Sequence, residues 1–195
     1  MIKLVSVSEM IAIENEANSI GLSYKDMMEN AGRGLAEVII KHYGNLKDDG
    51  ILGLVGSGNN GGDTLVALTY LAELGWNTSV YIINIRPKND MLVSRFKDSG
   101  GEVYYLQDDH NYKSLEKLLF RYAILLDGVL GTGTKLPLRD ALARVLDYVK
   151  TRIRTSGIHP VIIAVDNHNI GKIIDMQIEL RTLMCERSIF FALSR

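Results

Sequence analysis

Residues Gly56 to Asp63 read G-S-G-N-N-G-G-D directly after the apolar run Ile51-Leu52-Gly53-Leu54-Val55. An apolar strand that opens into glycines, two asparagines and an acid predicts a βα turn built to hold a polar ligand. Glycine removes the Cβ that would keep a ligand away from the backbone N–H groups. Two more acids stand where a strand should end. Asp127 follows Ala123-Ile124-Leu125-Leu126, and Gly131-Thr132-Gly133-Thr134-Lys135-Leu136-Pro137 lies just beyond it. Asp166 follows Val161-Ile162-Ile163-Ala164-Val165.

The elements that must position these groups are legible from periodicity. Strands are expected at 51–55, 78–84, 102–105, 122–126 and 161–165, with helices near 62–74, 89–98, 112–119 and 138–154 between them. Apolar strands alternating with helices give an α/β fold, a parallel sheet covered on both faces. Two helices precede it. Ser6-x-x-Glu9 reads as a capping box ahead of Met10, Ile13 and Ala17, and 23–43 carries the stripe Met27, Met28, Ala31, Leu35, Val38 and Ile39. In such sheets ligands bind beyond the carboxyl ends of the strands. The glycine segment, Asp127 and Asp166 are therefore expected at one shared edge. Ser188–Leu193 reads as a further strand.

The chain has 195 residues, is 47% apolar and carries a net charge of −1 with no basic block. One domain with a sizeable core follows, and neither a nucleic-acid backbone nor an anionic membrane is a favoured partner. A single cysteine, Cys185, excludes an internal disulfide. No apolar run approaches the ~20 residues of a membrane span. A cytoplasmic protein is expected.

Gly56, Gly58 and Gly61 satisfy the dinucleotide pattern G-x-G-x-x-G. That pattern also expects an acid at the end of the second strand, where this chain has Asn84-Ile85-Arg86. Arg86 and Lys88 offer a 2′-phosphate partner, so an NADP-linked oxidoreductase is one reading. Asp63, taken as an acid of the first helical turn, opposes it, because it would repel a pyrophosphate. His42, His110, His159 and His168 pair with no nucleophile and are expected at the surface or in loops.

A longer pattern is more specific. Met28-Glu29-Asn30-Ala31-Gly32, then N-N-G-G-D, strand-Asp-x-x-x-Gly-Thr-Gly and strand-Val-Asp occur in that order. Together they resemble the YjeF N-terminal domain family, the NAD(P)H-hydrate epimerases, over roughly residues 5 to 166. The resemblance implies a Rossmann-like three-layer α/β/α sandwich that associates as a homodimer. It implies interconversion of the R and S hydrates of NADH and NADPH, in partnership with a dehydratase that accepts one epimer. It also implies a bound potassium ion. On the matching positions, Asn59, Asn60, Gly61, Gly62 and Asp63 would contact the damaged dinucleotide. Gly131, Thr132, Gly133, Thr134, Lys135, Leu136 and Pro137 would wrap its phosphates. Asp166 would stand against the hydrated ring as the catalytic acid/base. Asn60 and Asp127 would be potassium ligands, as hard cations prefer carboxylate and amide oxygens. Glu29 and Asn30 remain open between capping and lining the pocket.

The resemblance stops after Asp166. Where the family continues x-Pro-Ser-Gly, this chain has Asn167-His168-Asn169-Ile170. Asn169 stands where the family's serine completes the potassium site. The tail 167–195 reads as either a structural variant or the altered end of a longer gene. A non-catalytic nucleotide-binding or interaction module on the same fold is the alternative function.

Overall fold

Five consecutive apolar or glycine residues cannot present one wet face, and Ile51–Val55 is buried at every position. Thr78–Ile82 is also buried at every position, its Thr78 and Ser79 included. Both are strands with protein on either side. The structure is a computed structural model and describes residues 7–129, 140–166 and 189–192. Its strands are β1 (Ile51–Val55), β2 (Thr78–Ile82), β3 (Glu102–Tyr105), β4 (Ile124–Gly128), β5 (Val161–Asp166) and β6 (Ile189–Ala192). They form one sheet in the order β3-β2-β1-β4-β5-β6. Every pairing is parallel. The order reverses direction between β1 and β4, which is the switch point of a doubly wound sheet.

The helices are α1 (Val7–Ser19), α2 (Tyr24–Tyr43), α3 (Asn59–Glu73), α4 (Met91–Asp98), α5 (Lys113–Arg121) and α6 (Asp140–Thr155). One face of the sheet packs Leu35 and Ile39 of α2, Leu65, Leu68 and Leu71 of α3, and Phe96 of α4 against Val55, Val80 and Leu126. The other face packs Leu115 and Leu119 of α5, with Val145 and Val149 of α6, against Leu54, Tyr81 and Leu125. The three-layer sandwich expected from the sequence is therefore present. It carries β6 as its sixth strand.

Two local expectations are corrected. The helix after β1 begins at Asn59, not near 62, because Gly58 takes an extended backbone (φ −85°, ψ −171°) as its N-cap. Asn and Gly are poor in helix interiors, so the run reads as a loop, but they are tolerated in a first turn. Asp63 consequently lies beyond the first turn and is fully buried, which removes its role as a helix-start acid. Met27 and Leu35 of the α2 stripe are 1% and 0% exposed and belong to the protein's own core.

Candidate active site

The N-terminus of α3 is pinned to the carboxyl edge of the sheet by Asn60. Its Nδ2 donates to the backbone carbonyl of Val165, 2.6 Å away at the end of β5. Asn60 is 3% exposed, so this bond spans from α3 to β5 inside the protein. Thr64 Oγ1 donates 2.7 Å to the carbonyl of Asn60 and locks the same turn. Asp127, inside β4 one residue before its end, accepts from the Val129 N–H at 3.1 Å. Asp166 is the last residue of β5 and pairs in register with Ala192 of β6. Asn60, Asp127 and Asp166 therefore come to one edge, as expected. Asn59 is exposed beside Asn60 on the first turn of α3, and Gly61 and Gly62 are buried there. Gly131 to Pro137 and Asn169 lie outside the described residues, as do His168 and Ile170.

The glycines have a reason other than ligand access. A Cβ on Gly61 would overlap the carbonyl oxygen of Gly56, and one on Gly56 would lie 2.5 Å from the carbonyl of Val129. A Cβ on Gly62 would lie 2.6 Å from Met28 Sδ. Three of the four are thus required by internal packing, and Gly58 alone faces open space. The upstream motif is explained by the same contact. Met28 lies against Gly62, and a Cβ on Gly32 would lie 2.5 Å from Val66, so α2 packs closely against α3. Glu29 neither caps nor lines the shared edge. It takes Arg95 Nη1 on both carboxylate oxygens at 2.8 Å and accepts from Tyr70 Oη at 2.8 Å, joining α2, α3 and α4. The Arg95 hydrogen bond, above all, holds its carboxyl below the usual range.

Arg86 is engaged within the protein. Its Nε donates to Asp90 Oδ2 and its Nη1 to the Gly56 carbonyl, each at 2.7 Å. Both side chains of the Arg86–Asp90 pair are 10% exposed, so removing one partner costs about 3–5 kcal/mol. Asp90 Oδ1 in turn caps α4 through the Leu92 and Val93 N–H groups. The sequence signal for this arrangement was an Asp directly before a helical run, four residues beyond an Arg.

Asp109 is a second feature that spacing alone did not reveal. Its carboxylate accepts from the N–H groups of Ser114 and Leu115 and from Tyr81 Oη, at 2.9 to 3.0 Å. Burial, the largest single influence, pushes its carboxyl up, but these hydrogen bonds together bring it below the ordinary value. Asn111 and Tyr112 between Asp109 and α5 take left-handed backbones, with φ of 59° and 57°.

A hard cation such as potassium takes oxygen donors. Among the described residues no group of three or more His, Cys, Asp or Glu side chains could hold a metal. The set at the edge is instead a carboxylate, Asp127, and an amide, Asn60. This suits a hard, weakly demanding cation and not a transition metal. Among the described residues, no helix is long and apolar enough to cross a membrane.

A doubly wound sheet with a glycine-rich helix start and acids at its carboxyl edge defines a Rossmann-like ligand-binding fold. Residues 24–167 match the family model of the YjeF-related protein N-terminus, and the chain belongs to that family. It is 30% identical over 159 residues to an NAD(P)H-hydrate epimerase of Nitrosopumilus maritimus, covering 74% of this chain and 67% of that protein. It is also 30% identical to an NAD(P)H-hydrate epimerase of Yarrowia lipolytica, covering 81% of this chain and 64% of that protein. With a bifunctional NAD(P)H-hydrate repair enzyme of Thermofilum pendens it shares 26% identity, over 84% of this chain but only 30% of that enzyme. The crystal structure of yeast ynu0 (YNL200c) superposes with a TM-score of 0.70 at 22% identity, covering 84% of this chain and 70% of that chain. That likeness supports the fold.

Proposed function

We propose that the chain is an NAD(P)H-hydrate epimerase, an isomerase that interconverts the R and S hydrates of NADH and NADPH. The observation that carries the reading is the Asn60–Val165 bond, which ties the glycine-rich helix start to the strand that ends in Asp166. An inversion at one ring carbon needs a group that can take and return a proton, held in a fixed orientation against the ring. Asp166 fills that role. Asn59 to Asp63 and Gly131 to Pro137 would bind the dinucleotide. Asn60 and Asp127, with Asn169, would hold a potassium ion, which supplies a fixed positive charge at the sheet edge when bound. Arg86 is engaged by Asp90 and Gly56, and this weighs against the oxidoreductase reading. The protein works in the cytoplasm beside a dehydratase that consumes one epimer, as the bifunctional repair enzymes among its relatives suggest. It associates as a homodimer through α1 and α2.

Thermal shift with NADPH, NADPH hydrate and AMP tests the reading. Stabilisation selective for the hydrate, with chromatographic R/S exchange above the uncatalysed rate, is expected. Strong stabilisation by NADPH alone would instead identify an oxidoreductase. Hydrate binding without exchange would identify a non-catalytic module.

A further inference from the structure

We propose that Arg86 is a positioning residue of this site: by gripping the Gly56 carbonyl it sets the glycine-rich turn and, through Gly56, the end of β4 that carries Asp127. The inference rests on the epimerase reading for its kinetic consequence. Gly56 is the first residue after β1, and its two backbone groups bond to different parts of the chain. Its carbonyl accepts from Arg86 Nη1 at 2.7 Å, and its N–H donates to the Gly128 carbonyl at 3.3 Å. A continuous chain of bonds thus runs from the loop after β2, across the end of β1, to the residue after Asp127. The Gly56 carbonyl is also the atom against which Gly61 packs, so its place fixes the first turn of α3. The guanidinium cannot swing, because its Nε is held by Asp90 and the pair is largely buried. A planar fork with two fixed acceptors is a geometry that lysine's point charge cannot reproduce.

The test compares wild type, Arg86→Lys and Arg86→Ala on the hydrates of both NADH and NADPH. Displacing positioned groups by about 1 Å costs on the order of 10²-fold, so kcat should fall by about that factor in Arg86→Ala, equally for both substrates. Arg86→Lys should be intermediate, and millimolar guanidinium ion should restore part of the Arg86→Ala rate while leaving wild type unchanged. A loss confined to the NADPH hydrate would overturn the proposal, because Arg86 would then be reading the 2′-phosphate. Undiminished kcat in Arg86→Ala would do the same. Hydrogen exchange on Arg86→Lys gives a readout independent of activity. The amides of 58–63 should exchange about ten-fold faster while those of β3 stay unchanged. A uniform change, or none, would refute the role. If wild type shows no epimerisation, the functional reading falls, and the exchange comparison still decides whether Arg86 holds the turn.

Discussion

Asp166 and Asn60 make separable demands on the same edge. Asp166→Asn keeps size and hydrogen bonding but removes the carboxylate proposed to transfer the proton. General acid–base groups contribute about 10²- to 10⁴-fold, so R/S exchange should drop to the uncatalysed rate while hydrate affinity stays within a few-fold. Chromatography of the two NADPH hydrates over time reads this, and an unchanged rate removes Asp166 from the mechanism. Asn60→Ala and Asp127→Ala should instead lose stabilisation by potassium. An ion present at a hundred times its Kd adds about 2.7 kcal/mol to a native state that alone binds it. Melting in potassium against a large organic cation checks the point, and a wild type indifferent to potassium would dispose of the site. Asn60→Ala carries an added cost in either salt, because the Val165 carbonyl loses a buried donor, worth about 1–3 kcal/mol. At this scale the residue types were readable from the sequence, and several reasons for them were not. Gly61 and Gly62 are glycine because Gly56 and Met28 occupy the space a Cβ needs, a fact of tertiary packing that no local pattern encodes. Arg86 looked like a phosphate partner because one of its acceptors, the backbone carbonyl of Gly56, is invisible to spacing.

The elements that carry these residues were legible wherever burial imposes a period. β1 is covered on both faces and reads as a continuous apolar run, β2 is as fully buried although it opens on Thr78 and Ser79, and α2 shows its stripe. The start of α3 was misplaced because its first turn is written in Asn and Gly, whose intrinsic preference opposes helix and is overruled by packing onto Gly56 and Gly128. The start of α5 is set by the Asp109 carboxylate, which accepts from the Ser114 and Leu115 N–H groups five and six residues further on. Asp109 holds its carboxyl below the unfolded value. Its contribution is therefore complete above that value, near pH 4, and is lost as pH falls through the lower folded value. Asp109→Ala should cost about 1–2 kcal/mol at neutral pH, the range of a lost helix cap. It should also flatten the acid limb of the stability profile. Urea titrations of both proteins from pH 7 to pH 3 measure this, and parallel profiles would show that Asp109 does not titrate with folding.

At the scale of the whole molecule, six of the ten exposed large apolar side chains among the described residues lie on the first two helices and the link between them. Ile11, Ile13, Ile20, Leu22, Tyr24 and Ile40 are 36–82% exposed. A homodimer through this face predicts that Ile20→Lys with Ile11→Lys gives a monomer by light scattering, with unchanged β-sheet content. A wild type that is monomeric at micromolar concentration would exclude it. The strand order also carries a consequence in time. Ile51 meets Thr78 on one side and Ile124 on the other, so the left half of the sheet can be completed from residues 51–105 alone. The right edge of β1, where Gly56 meets Gly128, has no ladder until β4 has been synthesised and returned past two strands. Distant pairings form late because loop closure precedes its reward. During refolding the ligand cleft should thus be the last part to become protected. Pulse-labelled exchange should find β2 and β3 closed before the Gly56 and Gly128 amides, and simultaneous protection would contradict that order. Until then the half-built sheet exposes an open apolar strand, and this is the stage at which the nascent chain is most prone to associate with its neighbours.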